Sequence, residues 1–539
     1  MTPVEVNVKK IEKITCVQMS SKFPDICYKL IMPDYGISII GSILAEKGYA
    51  VETFIEHVQP PEWDALSSSD LVLMSTMSAA AARTYEMADK IRSELNIPVI
   101  MGGTHATYFT DSCLEHCDVV VLREGDETIV ELIEALSNGG ALSGVAGIAY
   151  RENEKTVRTK NRPGPQHFVT IQNYELIRGF RKYSWLELFK RSRVPLLTVQ
   201  SSRGCPFHCS FCIVDTMFNN FRVRGIGSII EDLRDKRRYG RELLFIDNYF
   251  GANIGYTKEL LKRIIAEDFG FDIMVLCRID IAGDGELLDL MRKAGITALY
   301  LGIESVQPET LINYTKRQTV EKIETAIGKF HACGFRISGS FVIGADTDTP
   351  ETVDATVRFA LKNHIEVCYF FPLWGHYVEE KLGHQSIIPW HRSIFKGWEY
   401  CDGNFVNHFP KRMRPSQLQR ALIDAHRKVY SPKAFCDAFQ RRDWTAVKEK
   451  AINLYGWRFI EKGLEGYIPW LKEIENGFYD QKGRLLEHRL RQYVEQHPDW
   501  TFPESRNGRR SDKPGYERPS PIENPVPVEN NIRCTALAD

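Results

Sequence analysis

Three cysteines, Cys205, Cys209 and Cys212, stand within eight residues of one another in the stretch SSRGCPFHCSFC (201–212). They follow LLTVQ (196–200), an apolar run that reads as a buried strand, so they fall in the loop at its carboxyl end. Three thiolates from one loop can hold three irons of a [4Fe–4S] cluster, whose usual ligation is four cysteines, and so leave the fourth iron open. Two other readings stay open at this point: a zinc site that adds His208 or another residue, and free cysteines brought together by chance. Zinc sites usually show paired C-x2-C units with a second ligand pair, and no such pair lies nearby. The chain has 13 cysteines, an odd number, scattered over its length, which argues against a disulfide framework and for a reducing, cytoplasmic setting. Of the other ten, Cys113 and Cys117 read as packing residues.

At about 150 residues per domain, 539 residues predict three or four units. A composition of 43% hydrophobic and 26% charged residues is that of a globular protein. The net charge of −1 gives no electrostatic case for a nucleic-acid partner. No run approaches the roughly 18 apolar residues that span a bilayer, and the start, MTPVEVNVKK, lacks the pattern of a signal peptide. The predicted fold class is α/β, in five stretches. Residues 1–150 alternate strands with helices, the pattern of a doubly wound parallel sheet, Rossmann-like, which binds ligands beyond its strand carboxyl ends. Residues 151–194 read as a linker, with Pro163, Gly164 and Pro165 as breakers. Residues 195–380 carry six strand-like runs with helices between them, most of a TIM-type barrel, a partial (β/α)6. Residues 381–500 read as mainly helical, with helices at 415–429, 443–475 and 480–496. Residues 501–539 are proline-rich and polar, including Arg506, Arg509, Arg510 and Lys513, and read as a disordered tail.

The spacing C-x3-C-x-aromatic-C after a strand, with Phe211 as the aromatic residue, resembles the signature of the radical SAM superfamily. LLFIDNYF (243–250), LYLGIESV (299–306) and GSFVIGADTDTPE (339–351) resemble its later barrel strands. The resemblance implies S-adenosylmethionine (SAM) bound at the open iron and an external one-electron reductant. It implies reductive cleavage to a 5′-deoxyadenosyl radical. It places Asp247, Arg278, Glu304 and Ile343 with Gly344 toward SAM, Asp247 standing with Asn248 where many relatives have two acidic residues.

An open α/β sheet ahead of such a barrel is similar to the cobalamin-dependent branch of that superfamily, over roughly residues 10–430. Ser75-Thr76-Met77, and Gly102-Gly103 with His105, look like the elements that accommodate cobalamin. Small residues have a physical reason there, because a bulky ligand must approach the backbone. Arg123-Glu124-Gly125-Asp126-Glu127 resembles the RGEGE segment of that branch. In IMPDYG (31–36), Pro33 stands where classical cobalamin proteins carry the cobalt-ligating histidine, so no protein histidine is expected on cobalt from this position. The branch includes hopanoid methylases and anaerobic magnesium-protoporphyrin ester cyclases. The resemblance implies transfer of a methyl group from methylcobalamin to an unactivated carbon of a small organic substrate, with cyclisation or another oxidation without methyl transfer as the alternative. In CYFFPLWGHY (368–377), Phe370, Phe371, Trp374 and Tyr377 are candidates to wall an apolar substrate cavity, the other reading being core packing. Radical SAM enzymes that modify tRNA carry a second cysteine set in their N-terminal domain, which this chain lacks. No residue is singled out as an acid, a base or a radical quencher.

Overall fold

The computed structural model describes residues 10–23, 30–166, 168, 171–180, 194–218, 220–374 and 387–497. The expected tail and Tyr377 lie outside these residues. The N-terminal unit is built on seven strands: β1 (Lys13–Gln18), β2 (Ala50–Ile55), β3 (Leu71–Ser75), β4 (Val99–Gly102), β5 (Val119–Val121), β6 (Ile148–Glu152) and β7 (Lys155–Arg158). Their spatial order is β2-β1-β3-β4-β5-β6-β7. The first five are parallel. Short, wholly apolar runs such as Leu71–Met74 and Val119–Val121 suit strands covered on both faces, and both are buried. The helix Tyr35–Glu46 returns the chain from β1 to β2. Asp34 caps it by accepting from Ile37 N at 2.9 Å, and Gly48, at φ +93°, ends it. The order 2-1-3-4-5 opens a crevice at the carboxyl ends of β1 and β3, where the winding reverses.

Two details depart from the sequence reading. The sheet does not end at residue 150, because β6 and β7 extend it as an antiparallel hairpin to Arg158. Part of the expected linker is packed structure. Tyr174 is fully buried, its hydroxyl accepts from Thr198 N at 3.1 Å, and Asn173 N donates to Ser42 Oγ at 2.8 Å, so this stretch joins the two units.

The second unit holds six parallel strands in chain order: β8 (Leu197–Val199), β9 (Glu242–Phe245), β10 (Asp272–Cys277), β11 (Ile296–Glu304), β12 (Arg336–Ile343) and β13 (Val367–Pro372). Amphipathic helices, among them Ile254–Glu267, Gly285–Lys293, Val320–Ala332 and Pro350–Lys362, alternate with them. Leu243, Phe245, Ile273, Val275, Leu299, Leu301, Ile337 and Phe341 are buried in one core with those helices. Their alternates Leu244, Met274, Leu276, Tyr300, Val342, Tyr369 and Phe371 are only half-buried. With a strand period of two, one face of the sheet is covered and the other lines open space.

The C-terminal helices Pro415–Val429, Trp444–Ile474 and Glu487–Gln496 stand where helices were expected, joined by a further one, Pro432–Gln440. They protect the end of the sheet. The Tyr430 hydroxyl accepts from Cys368 N and donates to Cys368 O, both at 2.9 Å, on β13. The irregular stretch before them crosses back to the N-terminal unit, where Phe395, Trp398 and Cys401 enter its core.

Candidate site for a cluster, SAM and cobalamin

The cluster loop follows β8 and is held from below by Asp247. This carboxylate is fully buried and accepts from Ser201 N at 2.7 Å, Ser202 N at 2.8 Å and the Ser201 hydroxyl. Burial lifts its pKa to about 6 against the pull of these donors. Through these bonds Asp247 shapes the turn that leads into the cysteines. Gly204 sits at φ +81°, and a Cβ there would lie 2.6 Å from Asn220 O, so the turn requires glycine. Across the loop, Ser210 donates from N to Tyr314 O at 3.2 Å and from Oγ to Asn313 O at 2.8 Å, and the Thr315 hydroxyl donates to His208 O at 3.0 Å.

Cys209 is buried, and Cys205 and Cys212 are half-buried. Burial raises the Cys205 thiol pKa and pushes Cys212 up to about 12, and the neighbouring cysteines add to both shifts. The three thiols thus sit within electrostatic reach of one another and release protons when they take iron. Among the described residues, no three His, Cys, Asp or Glu side chains converge as a single metal ion requires. A [4Fe–4S] cluster takes one cysteine per iron, so three cysteines in one loop are a donor set that fits it.

Arg278, just past the end of β10, faces this loop. Its guanidinium lies 3.9 Å from the Phe207 ring centroid, with Nη1 3.9 Å from Cys209 Sγ and Nη2 donating to Lys316 O at 2.8 Å. Glu304 ends β11 in a left-handed conformation, φ +67°, which costs a side-chain-bearing residue of order 1–3 kcal/mol and concentrates at functional sites. It pairs with Lys316 Nζ at 2.9 Å and lies close enough to Cys212 to disfavour its thiolate. The Ile343 side chain is 3% exposed and belongs to the core beneath the helices. On the open side, Val342 shares a small cluster with Phe211 and Tyr314, whose rings are 4.9 Å apart. Gly344, at φ +112°, begins the next turn, with Asp348 accepting from Gly344 N and Ala345 N. Of the two readings offered for Phe370, the structure shows core packing. Phe370 is 2% exposed and meets His426 in the core, whereas Tyr369 and Phe371 lie on the open face.

At the N-terminal unit, Ser75 and Gly102 are paired at the ends of β3 and β4. Gly103 has φ +96°, and a Cβ would come within 2.9 Å of Thr76 O. At Gly102 the nearest protein atoms to a Cβ are 3.8 Å away. Packing within the protein demands glycine at the second position only. Thr76 Oγ1 is buried without a hydrogen-bond partner and Met77 is 49% exposed beside it. Ser75, Met77, Gly102 and Gly103 at the carboxyl end of a 2-1-3-4-5 sheet therefore fit a bulky ligand. His105 has both ring nitrogens engaged, as a loop histidine satisfied by hydrogen bonds. It is 1% exposed, Nε2 meets Tyr85 OH at 2.7 Å, Nδ1 meets Ser78 Oγ at 3.0 Å, and Trp398 packs edge-on at 4.5 Å. Burial lowers its pKa to about 3, so it is neutral and braces the loop.

Sequence reasoning missed the 313–316 segment, Lys316 above all, which joins Arg278 to Glu304. It also missed what the 123–127 segment does. Glu124 and Asp126 bind Arg203 of the cluster loop, each at 2.9 Å.

Comparison with known proteins agrees with this geometry. The B12 binding domain family model matches residues 22–133, and the radical SAM superfamily model matches residues 199–360. An uncharacterized methyltransferase of Pyrococcus horikoshii is 32% identical over 56% of this chain, which spans 66% of that protein's length. The anaerobic magnesium-protoporphyrin IX monomethyl ester cyclase of Rubrivivax gelatinosus is 26% identical, over 75% of this chain and 74% of that protein. The fold is shared with the radical SAM methyltransferase TsrM of Kitasatospora setae, at a TM-score of 0.58 and 20% identity, covering 67% of this chain and 75% of that one. With a cobalamin-type crevice and a three-cysteine loop in one chain, in this order, the protein belongs to the cobalamin-dependent radical SAM enzymes, whose cofactors are a [4Fe–4S] cluster, SAM and cobalamin.

Proposed function

We propose that this enzyme is a C-methyltransferase that acts on an apolar small molecule in a reducing, cytoplasmic compartment, with electrons from an external one-electron donor. The observation that carries this reading is the joining of the two sites: Arg203, two residues before Cys205, is held by Glu124 and Asp126 at the edge of the cobalamin crevice. When bound, SAM at the reduced cluster supplies a hydrogen-abstracting radical, and cobalamin supplies the methyl group. The chain's own residues do the rest. Cys205, Cys209 and Cys212 would hold three irons, with the Arg278 guanidinium set beside Cys209 Sγ at 3.9 Å. Glu304, fixed by Lys316, and Phe211 with Val342 would orient SAM. Ser75, Met77, Gly102 and Gly103 would carry cobalamin.

The open face of the barrel sheet supports an apolar substrate. Tyr300 and Tyr369 are stacked with centroids 5.5 Å apart at 26°, and Phe371 continues the row at 6.1 Å and 20°. Small Ser338 and Ser340 on β12 let the two tyrosines meet across that strand. Leu244, Met274, Leu276 and Val342 complete an apolar lining that keeps water from a reactive radical. The likeness to a magnesium-protoporphyrin ester cyclase favours a second reading, cyclisation with the same cofactors and no methyl transfer.

The two readings separate without a substrate in hand. Protein loaded with iron, sulfide and hydroxocobalamin is reduced and given SAM carrying a labelled methyl group. Label recovered on cobalamin supports methyl transfer. Formation of 5′-deoxyadenosine with no label on cobalamin removes it in favour of cyclisation.

A further inference from the structure

Both flanks of the cluster loop are gripped by the N-terminal unit, through the loops that border its crevice. Before the first cysteine, the Arg203 fork meets Asp126 through Nη1 and Nη2 and Glu124 through Nη1, all at 2.9 Å, while Nε donates to Gln200 Oε1 at 2.8 Å. The Phe168 ring lies against the guanidinium at 4.5 Å. The other oxygen of Glu124 takes Arg222, 2.5 Å away, which stands opposite Arg203 in a short antiparallel pairing and also donates to Pro165 O at 2.7 Å. The side chains of Arg203, Arg222 and Glu124 are 5–8% exposed. Such buried charges persist only when fully paired. After the last cysteine, the Tyr108 hydroxyl donates to Ile213 O at 3.1 Å and lies 2.6 Å from Thr216 Oγ1.

Tyr108 closes the helix Thr104–Tyr108, which starts directly after Gly103, and Glu124 and Asp126 follow β5. The two grips are themselves linked, because Arg123 N donates to Thr107 Oγ1 at 2.9 Å. Residues 203 and 213, which bracket the three cysteines, are thus both tied to loops that border the crevice.

We infer that Arg203 and Tyr108 are positioning residues that couple the cobalamin crevice to the cluster loop, so that each cofactor strengthens the binding of the other. The inference rests on the cofactor set and is independent of whether a methyl group is transferred. A coupling between two sites is reciprocal, so the effect of the cluster on cobalamin affinity measures it. The planar arginine fork is what the two carboxylates read, and lysine keeps the charge without the fork.

The test is a spectroscopic titration of the full chain with hydroxocobalamin, with and without the reconstituted cluster. The cluster is expected to tighten the wild-type Kd about tenfold, within the usual range for coupled sites. In Tyr108→Phe and Arg203→Lys, cobalamin still binds and the ratio of the two Kd values falls toward one. A residue that merely supported the fold would move both values together and leave the ratio alone. A wild-type ratio of one overturns the inference, as does a wild-type ratio in both folded variants. Should Arg203→Lys fail to fold, Tyr108→Phe, which loses a single oxygen, decides. Absence of cobalamin binding in either state defeats the cofactor assignment, an outcome distinct from a ratio of one.

Discussion

Among single residues, Cys209 has the least freedom, buried beside Arg278 in the middle of the loop. Cys209→Ala should remove most cluster iron from anaerobically reconstituted protein and abolish SAM cleavage, read by iron analysis and 5′-deoxyadenosine formation. His105→Gln is expected to behave differently. It removes a brace shared by Tyr85 and Ser78, so it should lower stability by about 1–3 kcal/mol while the visible spectrum of bound cobalamin stays that of the wild type. Asp348 carries a pH signature. Burial lifts its pKa to about 6, above the ordinary aspartate value of about 3.9, so the folded state holds an extra proton between these limits. Its contribution to stability is full below about pH 4 and is lost as pH rises through about 6, on the order of 3 kcal/mol in all. Asp348→Asn can keep both backbone bonds through its amide oxygen. Urea unfolding from pH 4 to 7 should show a flatter pH dependence for this variant. At this scale the sequence was clear for the cysteines, whose spacing lies within one loop. It was silent on how Asp247, Ile343 and His105 are buried, because nothing local tells whether a strand-end side chain points to the cavity or into the core.

Among the elements, strands and helices were legible nearly throughout, because apolar runs and helical periodicity are local patterns. The hairpin past residue 150 was not, since its edge strand, KTVR, is polar. The segment 313–316 was also hidden. It reaches the cluster loop across 103–107 residues of sequence and is held by contacts that only the folded barrel creates. The two glycines at the end of β4 give an element-scale prediction. Gly103→Ala forces a Cβ to within 2.9 Å of Thr76 O at positive φ, so it should destabilise the N-terminal unit by about 1–3 kcal/mol. Gly102→Ala has room within the protein, so it should leave the unfolding transition unchanged and weaken hydroxocobalamin binding. Thermal unfolding and a spectroscopic titration on the two variants check this pair.

Over the whole molecule, the order of the units was readable from the sequence, whereas their joining was not. Tyr174, the Arg203–Glu124–Arg222 network and the return of Trp398 to the N-terminal core bind two β/α units into one arrangement, with both carboxyl-end sites tied through the cluster loop. Each joint pairs residues far apart in sequence, and single-chain patterning carries no record of such pairs. The arrangement brings a cobalamin crevice and a three-thiol loop into one catalytic unit, and the account rests on both being filled. The most direct test is the cofactor content and SAM turnover of the anaerobically purified chain after loading with iron, sulfide and hydroxocobalamin. The account predicts one tightly held cobalamin and about four irons per chain, with 5′-deoxyadenosine formed on reduction in the presence of SAM and absent in Cys209→Ala. A chain that holds its cluster but takes up no cobalamin, or that forms no 5′-deoxyadenosine when reduced, would contradict it.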